Sequence, residues 1–331
     1  MNTFGRIFRI HIFGESHGAG VGITIDGCPA GLPLTEEDFS TDLNRRKPGA
    51  RGTTPRKEDD LPELVSGCFR GHTTGAPLTV LFRNTNIRSA DYDNLVKTPR
   101  PGHSDFVAWK KFAGFNDHRG GGHFSGRLTL ALVAAGVIAK KLIHPVGIRA
   151  EVISAGGRED IQQAVAEALE QGDSLGGLVQ CRAENIPLGW GDPFFDAVES
   201  VISHLAFAVP AIKGIEFGSG FGAASMKGSQ HNDPILDDSG KTASNNAGGI
   251  TGGLTNGNEL VFRVAVKPTS SISKEQKTWS IETGKTETLQ VKGRHDACIA
   301  LRVPVVIEAI TAIALADLKM LHKASGIVSA E

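Results

Sequence analysis

The chain has 331 residues and a formal net charge of −1. This length allows one large domain or two ordinary ones, with an ample core. The balanced charge argues against nucleic acid or a membrane surface as the main partner. No apolar run approaches the ~18 residues of a membrane span, and we expect no signal peptide. The four cysteines form no CxxC pair, which argues against structural zinc and favours a reduced, cytoplasmic compartment.

The N-terminal part of the chain predicts strands around one short helix. The segments with strand composition are 6–13, 21–26, 63–69 and 77–82. Thr35 and the three acidic residues after it predict an N-cap, and the helix that begins there ends at Pro48. Between the first two strands, glycines flank Glu15, Ser16 and His17. This placement is typical of reactive groups presented at the edge of a sheet.

The rest of the chain mixes helices with strand pairs. Helices are predicted over 128–143, 160–171, 193–209 and 304–321, and strands over 147–154, 178–182, 223–227, 260–266 and around Ile215. The first of these helices is apolar nearly all round, which predicts burial. In the third, Phe195 shares one face with Val198 and Ile202, so we expect it to be buried. Because no linker or repeat interrupts the order, we predict one α+β domain over residues 1–331.

The stretch 100–129 is the richest in functional groups. His103 follows a proline–glycine turn, so a tight loop presents its ring. Three glycines, 120–122, precede the buried helix, and their N–H groups together with the helix start can hold an anion. Arg119 and Arg127 flank them and favour a phosphate or carboxylate cradle. A plain loop is the alternative.

A run of cations without an acid lies between residues 44 and 57. Its members are Arg45, Arg46, Lys47, Arg51, Arg56 and Lys57. One hypothesis is a lid that neutralises a multiply anionic small molecule, because arginine makes forked contacts with phosphate and carboxylate. A solvated surface loop is the alternative. A nucleic-acid patch is disfavoured because no aromatic residues are interleaved.

Seven motifs follow one another along the chain, namely Gly-Glu-Ser-His-Gly at 14–18, Arg-Arg-Lys-Pro-Gly at 45–49, Arg-Pro-Gly-His at 100–103, Asp-His-Arg-Gly-Gly-Gly at 117–122, Ala-Gly-Gly-Ile at 247–250, Lys-Pro-Thr-Ser-Ser at 267–271 and Arg-His-Asp-Ala-Cys at 294–298. In this order they resemble the motifs of the chorismate synthase family. The resemblance covers essentially the whole chain. It implies a layered β-α-β sandwich, with helices between antiparallel sheets, assembled as a homotetramer.

The resemblance also implies a carbon–oxygen lyase that acts on phosphates. The expected reaction is the 1,4-elimination of phosphate from 5-enolpyruvylshikimate 3-phosphate, which gives chorismate at the end of the shikimate pathway to aromatic amino acids. It needs reduced FMN (FMNH2) without net redox change. Some family members reduce their own flavin with NADPH. Because no added nucleotide-binding module is visible here, we expect an external flavin reductase or reductant.

Roles transfer from the family by motif. His17 is expected to stabilise or protonate the reduced flavin, His103 to act as general acid on the departing phosphate, and Asp296 to help remove the flavin N5 proton. Expected substrate-binding residues are Ser16, Arg46, Arg51 and Arg127. Expected flavin-binding residues are His123, Phe124, Ser125, Ala211, Gly252, Lys267, Pro268, Thr269, Ser270, Ser271 and Arg294.

The chain departs from the family pattern after the third glycine. The common pattern is Arg-Ser-Ser-Ala-Arg-Glu-Thr, whereas residues 123–129 are His-Phe-Ser-Gly-Arg-Leu-Thr. His123 can still donate a hydrogen bond, but Phe124 cannot donate and can only pack. The resemblance therefore assigns roles more firmly to Ser125 and Arg127.

Two other functional classes remain open at this point. Scattered residues could ligate a metal in a hydrolase, namely His11, His17, His103, Asp105, His118, His123, His295 and Asp296. They lack the local spacing that usually anchors such a site. The other class is a non-catalytic flavin- or phosphate-binding protein, which only the altered pair at 123–124 favours. A metal analysis tests the first class and a turnover assay tests the second.

Overall fold

The structure is a computed structural model that describes residues 1–49, 52–53, 59–85, 95, 97–291 and 295–326. Its α-helices are α1 Ser40–Arg46, α2 Asp105–Lys111, α3 Thr129–Ile143, α4 Ile161–Glu170, α5 Val198–Ala208, α6 Gly228–His231 and α7 Pro304–Ala324. Short 3-10 helices span Glu36–Phe39, Arg119–Phe124, Gly126–Leu128, Phe194–Asp196, Gly220–Ser225 and Ile299–Arg302.

The strands form two main sheets and three small hairpins. They are β1 Thr3–Phe4, β2 Arg9–Gly14, β3 Gly20–Asp26, β4 Glu63–Ser66, β5 Cys68–Phe69, β6 His72–Thr73, β7 Leu78–Arg83, β8 Gly147–Ala155, β9 Gly177–Glu184, β10 Ile212–Phe217, β11 Ile250–Thr251, β12 Leu254–Thr255, β13 Leu260–Val266, β14 Gln276–Trp279 and β15 Thr286–Leu289. One main sheet has the order β1-β2-β3-β7-β4 and the other β10-β13-β9-β8. Within both sheets the neighbouring strands run antiparallel.

Three helices separate the two main sheets. Helix α3 packs against β3 of the first sheet, and α7 packs against β8 and β9 of the second. The two helices also pack against each other, while α5 packs against α7 and β10. The predicted α+β sandwich, with helices between antiparallel sheets, is confirmed.

The central helices are apolar on nearly every side because each contacts both a sheet and another helix. Helix α3 buries its residues from Thr129 to Ala139 without a break. Its Gly136 faces α7, and a Cβ at this position would lie 2.4 Å from the Cβ of Ala309. The absence of a side chain therefore permits the close crossing of the two helices.

One buried carboxylate, Glu308 of α7, ties three other elements to this core. Its side chain is 2% exposed and accepts hydrogen bonds at 2.7 Å from Arg45 of α1 and at 3.0 Å from Lys140 of α3. The backbone N–H of Ala150 in β8 donates to it at 2.9 Å. Burial tends to raise the pKa of Glu308, but the bonds and charges of Arg45 and Lys140 hold that pKa below its usual value.

Two local predictions are wrong. Residues 223–227 lie in and after a 3-10 helix rather than in a strand. Phe195 is 91% exposed, because Phe194–Asp196 forms a separate 3-10 turn and α5 begins only at Val198. Helix α2 and the hairpin β14–β15 were not predicted. The other predicted helices and strands are confirmed, with shifted boundaries.

Candidate active site

Two adjoining chambers lie beside the N-terminal end of α3. The larger has a volume of about 710 Å³ and the smaller about 280 Å³. Ser125, Thr269 and Asp296 line both of them. These volumes are in the range of small-molecule sites.

The glycine triplet lies between two of the predicted catalytic histidines. Gly120, Gly121 and Gly122 have φ angles of 59°, 81° and 53°, which residues with a side chain rarely adopt. A Cβ at position 120 would lie 2.2 Å from Nδ1 of His17, and a Cβ at position 121 would lie 3.6 Å from Cε1 of His103. The glycines therefore let both imidazole rings pack directly against the backbone.

The prediction that this triplet cradles an anion is wrong for two of its parts. The N–H of Gly121 donates to the carbonyl of His118 at 3.1 Å and is not available to a ligand. The guanidinium of Arg119 pairs with Asp117 at 2.8 Å, is 43% exposed and lines neither chamber. The triplet instead fixes the loop, since the carbonyl of Gly122 accepts the N–H of Ser16 at 3.1 Å.

His103 belongs to a network of charged side chains at the wall of the large chamber. Its Nδ1 lies 2.5 Å from Oδ1 of Asp105. Arg100 binds the same carboxylate through Nε at 2.7 Å and Nη2 at 2.9 Å, and its Nη1 donates to Ser271 at 3.0 Å. Burial tends to raise the pKa of Asp105, but the bonds from Arg100 and His103 hold it well below its usual value. The carboxylate is therefore ionised at neutral pH.

The small chamber combines three guanidinium groups with two carboxylates. Arg46, Arg127 and Arg302 line it, together with Asp60 and Asp296. These described side chains give the chamber an excess of positive charge. An anionic ligand of small size is the class of molecule that such a chamber favours.

Asp60 lies between the two predicted substrate-binding arginines that the structure describes. Its carboxylate is 2.9 Å from Nη1 of Arg127 and 3.4 Å from Nη1 of Arg46. Arg46 also donates to Thr129 at 3.1 Å, and Arg127 to Asn84 at 2.6 Å. Both guanidinium groups are thus almost fully buried and held in fixed orientations, with side-chain exposures of 5% and 8%.

Residues 267–271 form one wall of the large chamber. Lys267, Pro268, Thr269, Ser270 and Ser271 all line it, as does Ala211. Ala211 accepts the backbone N–H of Lys267 at 2.9 Å. Burial lowers the pKa of the Lys267 ammonium, whose Nζ donates to the carbonyl of Gly102 at 2.9 Å. The Oγ1 of Thr269 is buried with no hydrogen-bond partner in the described part of the chain, although Thr269 lines both chambers.

The altered pair at 123–124 lines the large chamber but is held by the protein. Nδ1 of His123 lies 2.8 Å from the carbonyl of Gly14, and Nε2 lies 3.1 Å from Oδ1 of Asn2. Phe124 is 41% exposed and packs near Phe112, with 6.2 Å between the ring centroids. Both ring nitrogens of His123 therefore have protein partners, and Phe124 contributes an apolar surface.

Some predicted site residues are not brought to the chambers. Gly252 is the exposed first turn residue of the β11–β12 hairpin and lines neither chamber. Ser16 and His17 are buried behind Gly120. Arg51 and Arg294 lie outside the described residues.

Sequence reasoning assigned no role in this site to four of its charged residues. Asp105 and Arg100 could have been found, because they stand two residues after and three residues before His103. Asp60 and Arg302 carry no local signal, since only the fold brings them to the small chamber. Within the described ranges, no group of three or more His, Cys, Asp or Glu side chains could hold a metal ion. No helix in those ranges is both long and apolar enough to cross a membrane.

The chain resembles known proteins along nearly its whole length. A sequence profile of the family described as chorismate synthase matches residues 8–320. A chorismate synthase of Chitinophaga pinensis is 63% identical over 326 residues, which cover 98% of each chain. One of Dehalococcoides mccartyi is 45% identical over 351 residues and one of Korarchaeum cryptofilum 44% over 348, each covering 96% of both chains. A crystal structure of chorismate synthase matches with a TM-score of 0.75 at 30% identity, covering 98% of this chain and 94% of that one.

Proposed function

This chain belongs to the chorismate synthase family of lyases, and we propose that it converts 5-enolpyruvylshikimate 3-phosphate to chorismate and phosphate with reduced FMN as cofactor. The observation that carries this proposal is the pair of adjoining chambers. One is lined by three arginines, and the other by hydroxyl groups, a lysine and His103. Substrate and cofactor would occupy the two chambers side by side.

The small chamber has an excess of positive charge, which favours an anionic substrate. The substrate carries one phosphate and two carboxylates, and Arg46, Arg127 and Arg302 supply three positive charges. Asp60 holds the first two of these groups in place, so they need little rearrangement to attract an anion. Arg51 is proposed as a further cation of this site on its motif alone.

The large chamber fits a flavin mononucleotide. Its wall includes the apolar residues Leu132, Leu205 and Pro210, which can pack against a flat ring system. The same chamber also has polar groups. Lys267 and the hydroxyl groups at 269–271 can bind polar and phosphate oxygens. The buried Oγ1 of Thr269 has no protein partner in the described ranges, so a ligand atom would satisfy it. Phe124 would add apolar contact in place of the hydrogen bond that other members of the family make.

The proposed reaction removes one proton from the substrate ring and delivers one proton to the departing phosphate. Reduced flavin bound in the large chamber would supply electron density to the substrate. His103 gives a proton to the departing phosphate. Asp296, which lines both chambers and lies 3.4 Å from Nη1 of Arg302, assists removal of the ring proton. His17 would act on the cofactor from behind Gly120.

The biological setting belongs to the same proposal. The reaction would be the last step of the shikimate pathway, carried out in the cytoplasm by a homotetramer of single-domain chains. One continuous core that contains residues of both sheets and all three central helices supports the single domain. Reduced FMN would come from an external reductase or reductant. Turnover in air by pure protein given only NADPH and oxidised FMN would contradict that last point.

An anaerobic assay tests the proposed function. The protein is given 5-enolpyruvylshikimate 3-phosphate and dithionite-reduced FMN, and chorismate and phosphate are followed together. We expect equal amounts of both products, and none without reduced flavin. His103→Gln should lower kcat by about 10²-fold or more, as is common for loss of a general acid. His322→Gln, at the exposed end of α7, is the control and should keep full activity. Tight flavin binding without product would favour the non-catalytic alternative.

A further inference from the structure

We propose that Asp105 is a positioning residue that fixes the tautomer and the orientation of His103. The inference rests on the proposed function, in which His103 is the general acid. It starts from the geometry of one carboxylate, which contacts the imidazole ring on one side and a buried guanidinium on the other.

The carboxylate of Asp105 is itself held firmly. Its side chain is 13% exposed, and its Oδ2 accepts both Nε of Arg100 at 2.7 Å and the backbone N–H of Arg100 at 3.1 Å. Arg100 is anchored in turn by the hydroxyl of Ser271. The carboxylate therefore has little freedom to turn away from the ring that it contacts.

This arrangement selects one tautomer of the neutral ring. Only a protonated Nδ1 can donate to Oδ1 of Asp105, which lies 2.5 Å away. Nε2 is then the ring's acceptor. Nη2 of Arg100 lies 3.1 Å from Nδ1 and 3.2 Å from Nε2, and once Nδ1 carries the proton it can donate only to Nε2. Cε1 and Nε2 are the ring atoms nearest to the place where a Cβ on Gly121 would lie. The carboxylate and the glycine thus confine the ring at different atoms.

The same contacts favour release of a proton from Nε2 of His103. When Nε2 carries a proton, the nearby guanidinium of Arg100 repels the imidazolium, whereas Asp105 continues to accept the Nδ1 proton. The Nε2–H bond breaks and an O–H bond forms on the leaving phosphate. The ring returns to the neutral Nδ1–H form, still bonded to Asp105. Without the carboxylate the ring could rotate, so Nε2 would no longer be fixed in place, and the imidazolium that donates the proton would lose its counter-ion at Nδ1.

The first test compares two substitutions of the carboxylate. We expect Asp105→Asn to lower kcat by about 10²-fold while KM for the substrate stays within about threefold, because binding groups are untouched. Asp105→Glu keeps the negative charge, so its kcat should be at least tenfold higher than that of Asp105→Asn. Asp26→Asn is the matched control. Asp26 lies on β3 and forms an exposed ion pair with Arg9 of β2, so its replacement should leave kcat and KM unchanged.

The second test is a double-mutant cycle between positions 103 and 105. If Asp105 acts through His103, Asp105→Asn should have almost no further effect on kcat in a His103→Gln background. A merely structural carboxylate would lower kcat by the same factor in both backgrounds, and that result would overturn the inference. Asp105→Ala supplies the same cycle if Asp105→Asn does not fold. Failure of the wild-type protein to form chorismate would instead overturn the proposed function, whereas wild-type turnover with an unimpaired Asp105→Asn overturns only this inference.

Discussion

Gly120 has no room for a side chain, because its backbone packs against the ring of His17. Gly120→Ala combines two costs: a left-handed backbone, which costs about 1–2 kcal/mol, and a Cβ that would lie 2.2 Å from Nδ1 of His17. We expect the free energy of unfolding to fall by more than ~2 kcal/mol and kcat to fall at least about tenfold, as measured by urea denaturation and the anaerobic assay.

Gly71→Ala is the matched control for this prediction. Gly71 has a φ of +74° but no atom within 4 Å of the added Cβ, so it carries the backbone cost alone. It should lose only about 1–2 kcal/mol and keep its activity. Equal losses of stability in the two variants would show that the contact with His17 contributes nothing to the effect of Gly120→Ala.

Asp60 is expected to be important for stability as well as for charge. Asp60→Asn leaves Arg46 and Arg127 buried without their shared anion, which should lower the free energy of unfolding by about 3–5 kcal/mol. Asparagine suits the test because, like aspartate, it tolerates the positive φ of 49° found there. Glu63→Gln breaks an exposed pair with Arg83 and should cost less than about 1 kcal/mol. A similar cost for both would contradict this role.

Single residues also show what the sequence could and could not predict about the site. The cation run was correctly noticed, yet Arg45 and Arg46 behave differently. Arg45 pairs with Glu308 of the core, whereas Arg46 lines the small chamber. Neighbouring residues on a helix point about 100° apart, and the partner of each comes from a distant part of the chain. Their roles follow from tertiary packing, which no local pattern contains.

At the scale of elements, Glu308 makes the attachment of α1, α3 and β8 to α7 depend on pH. Its pKa is lower in the folded protein than the ~4.3 of an unfolded glutamate. Its contribution to stability is therefore complete above about pH 4.3 and is lost as the pH falls through the folded-state pKa. Glu308→Gln should cost roughly 2 kcal/mol at pH 7, because hydrogen bonds to a charged group are lost.

The pH dependence gives this prediction its measurement. Urea denaturation of wild type and Glu308→Gln should differ clearly at pH 7 and progressively less below pH 4. Glu282→Gln, which breaks an exposed pair with Lys97, provides the control and should change stability little at either pH. A difference that grew as the pH fell would mean that the carboxyl is not stabilised in its charged form.

Long apolar helices were predicted correctly, whereas a helix boundary that depends on one backbone angle was not. Helices α3 and α7 are long and apolar, so their existence follows from composition. Phe195 was placed on the wrong side because Phe194, the first residue of the 3-10 turn, adopts a φ of 66° and α5 begins only at Val198. The residue types in this segment do not predict that angle.

For the whole molecule, the outer surface is consistent with assembly. Phe194, Phe195, Phe221 and Ile235 are between 73% and 91% exposed in the single chain. Aromatic side chains are enriched in protein–protein interfaces, so the three phenylalanines are candidates for contacts between subunits. We expect sedimentation equilibrium to give the mass of four chains, and a concentration-independent monomer would contradict the proposed tetramer.

The bond between Glu308 and Ala150 has a consequence for solubility. Strand β8 is the last strand of its sheet, so its outer backbone groups form an edge on which a strand from another molecule could add. The N–H of Ala150 is already taken by a carboxylate from the helix layer. The interaction that fixes the core thus also removes one donor from an aggregation-prone edge. Loss of that carboxylate would lower not only stability but also the concentration at which the folded protein stays dispersed.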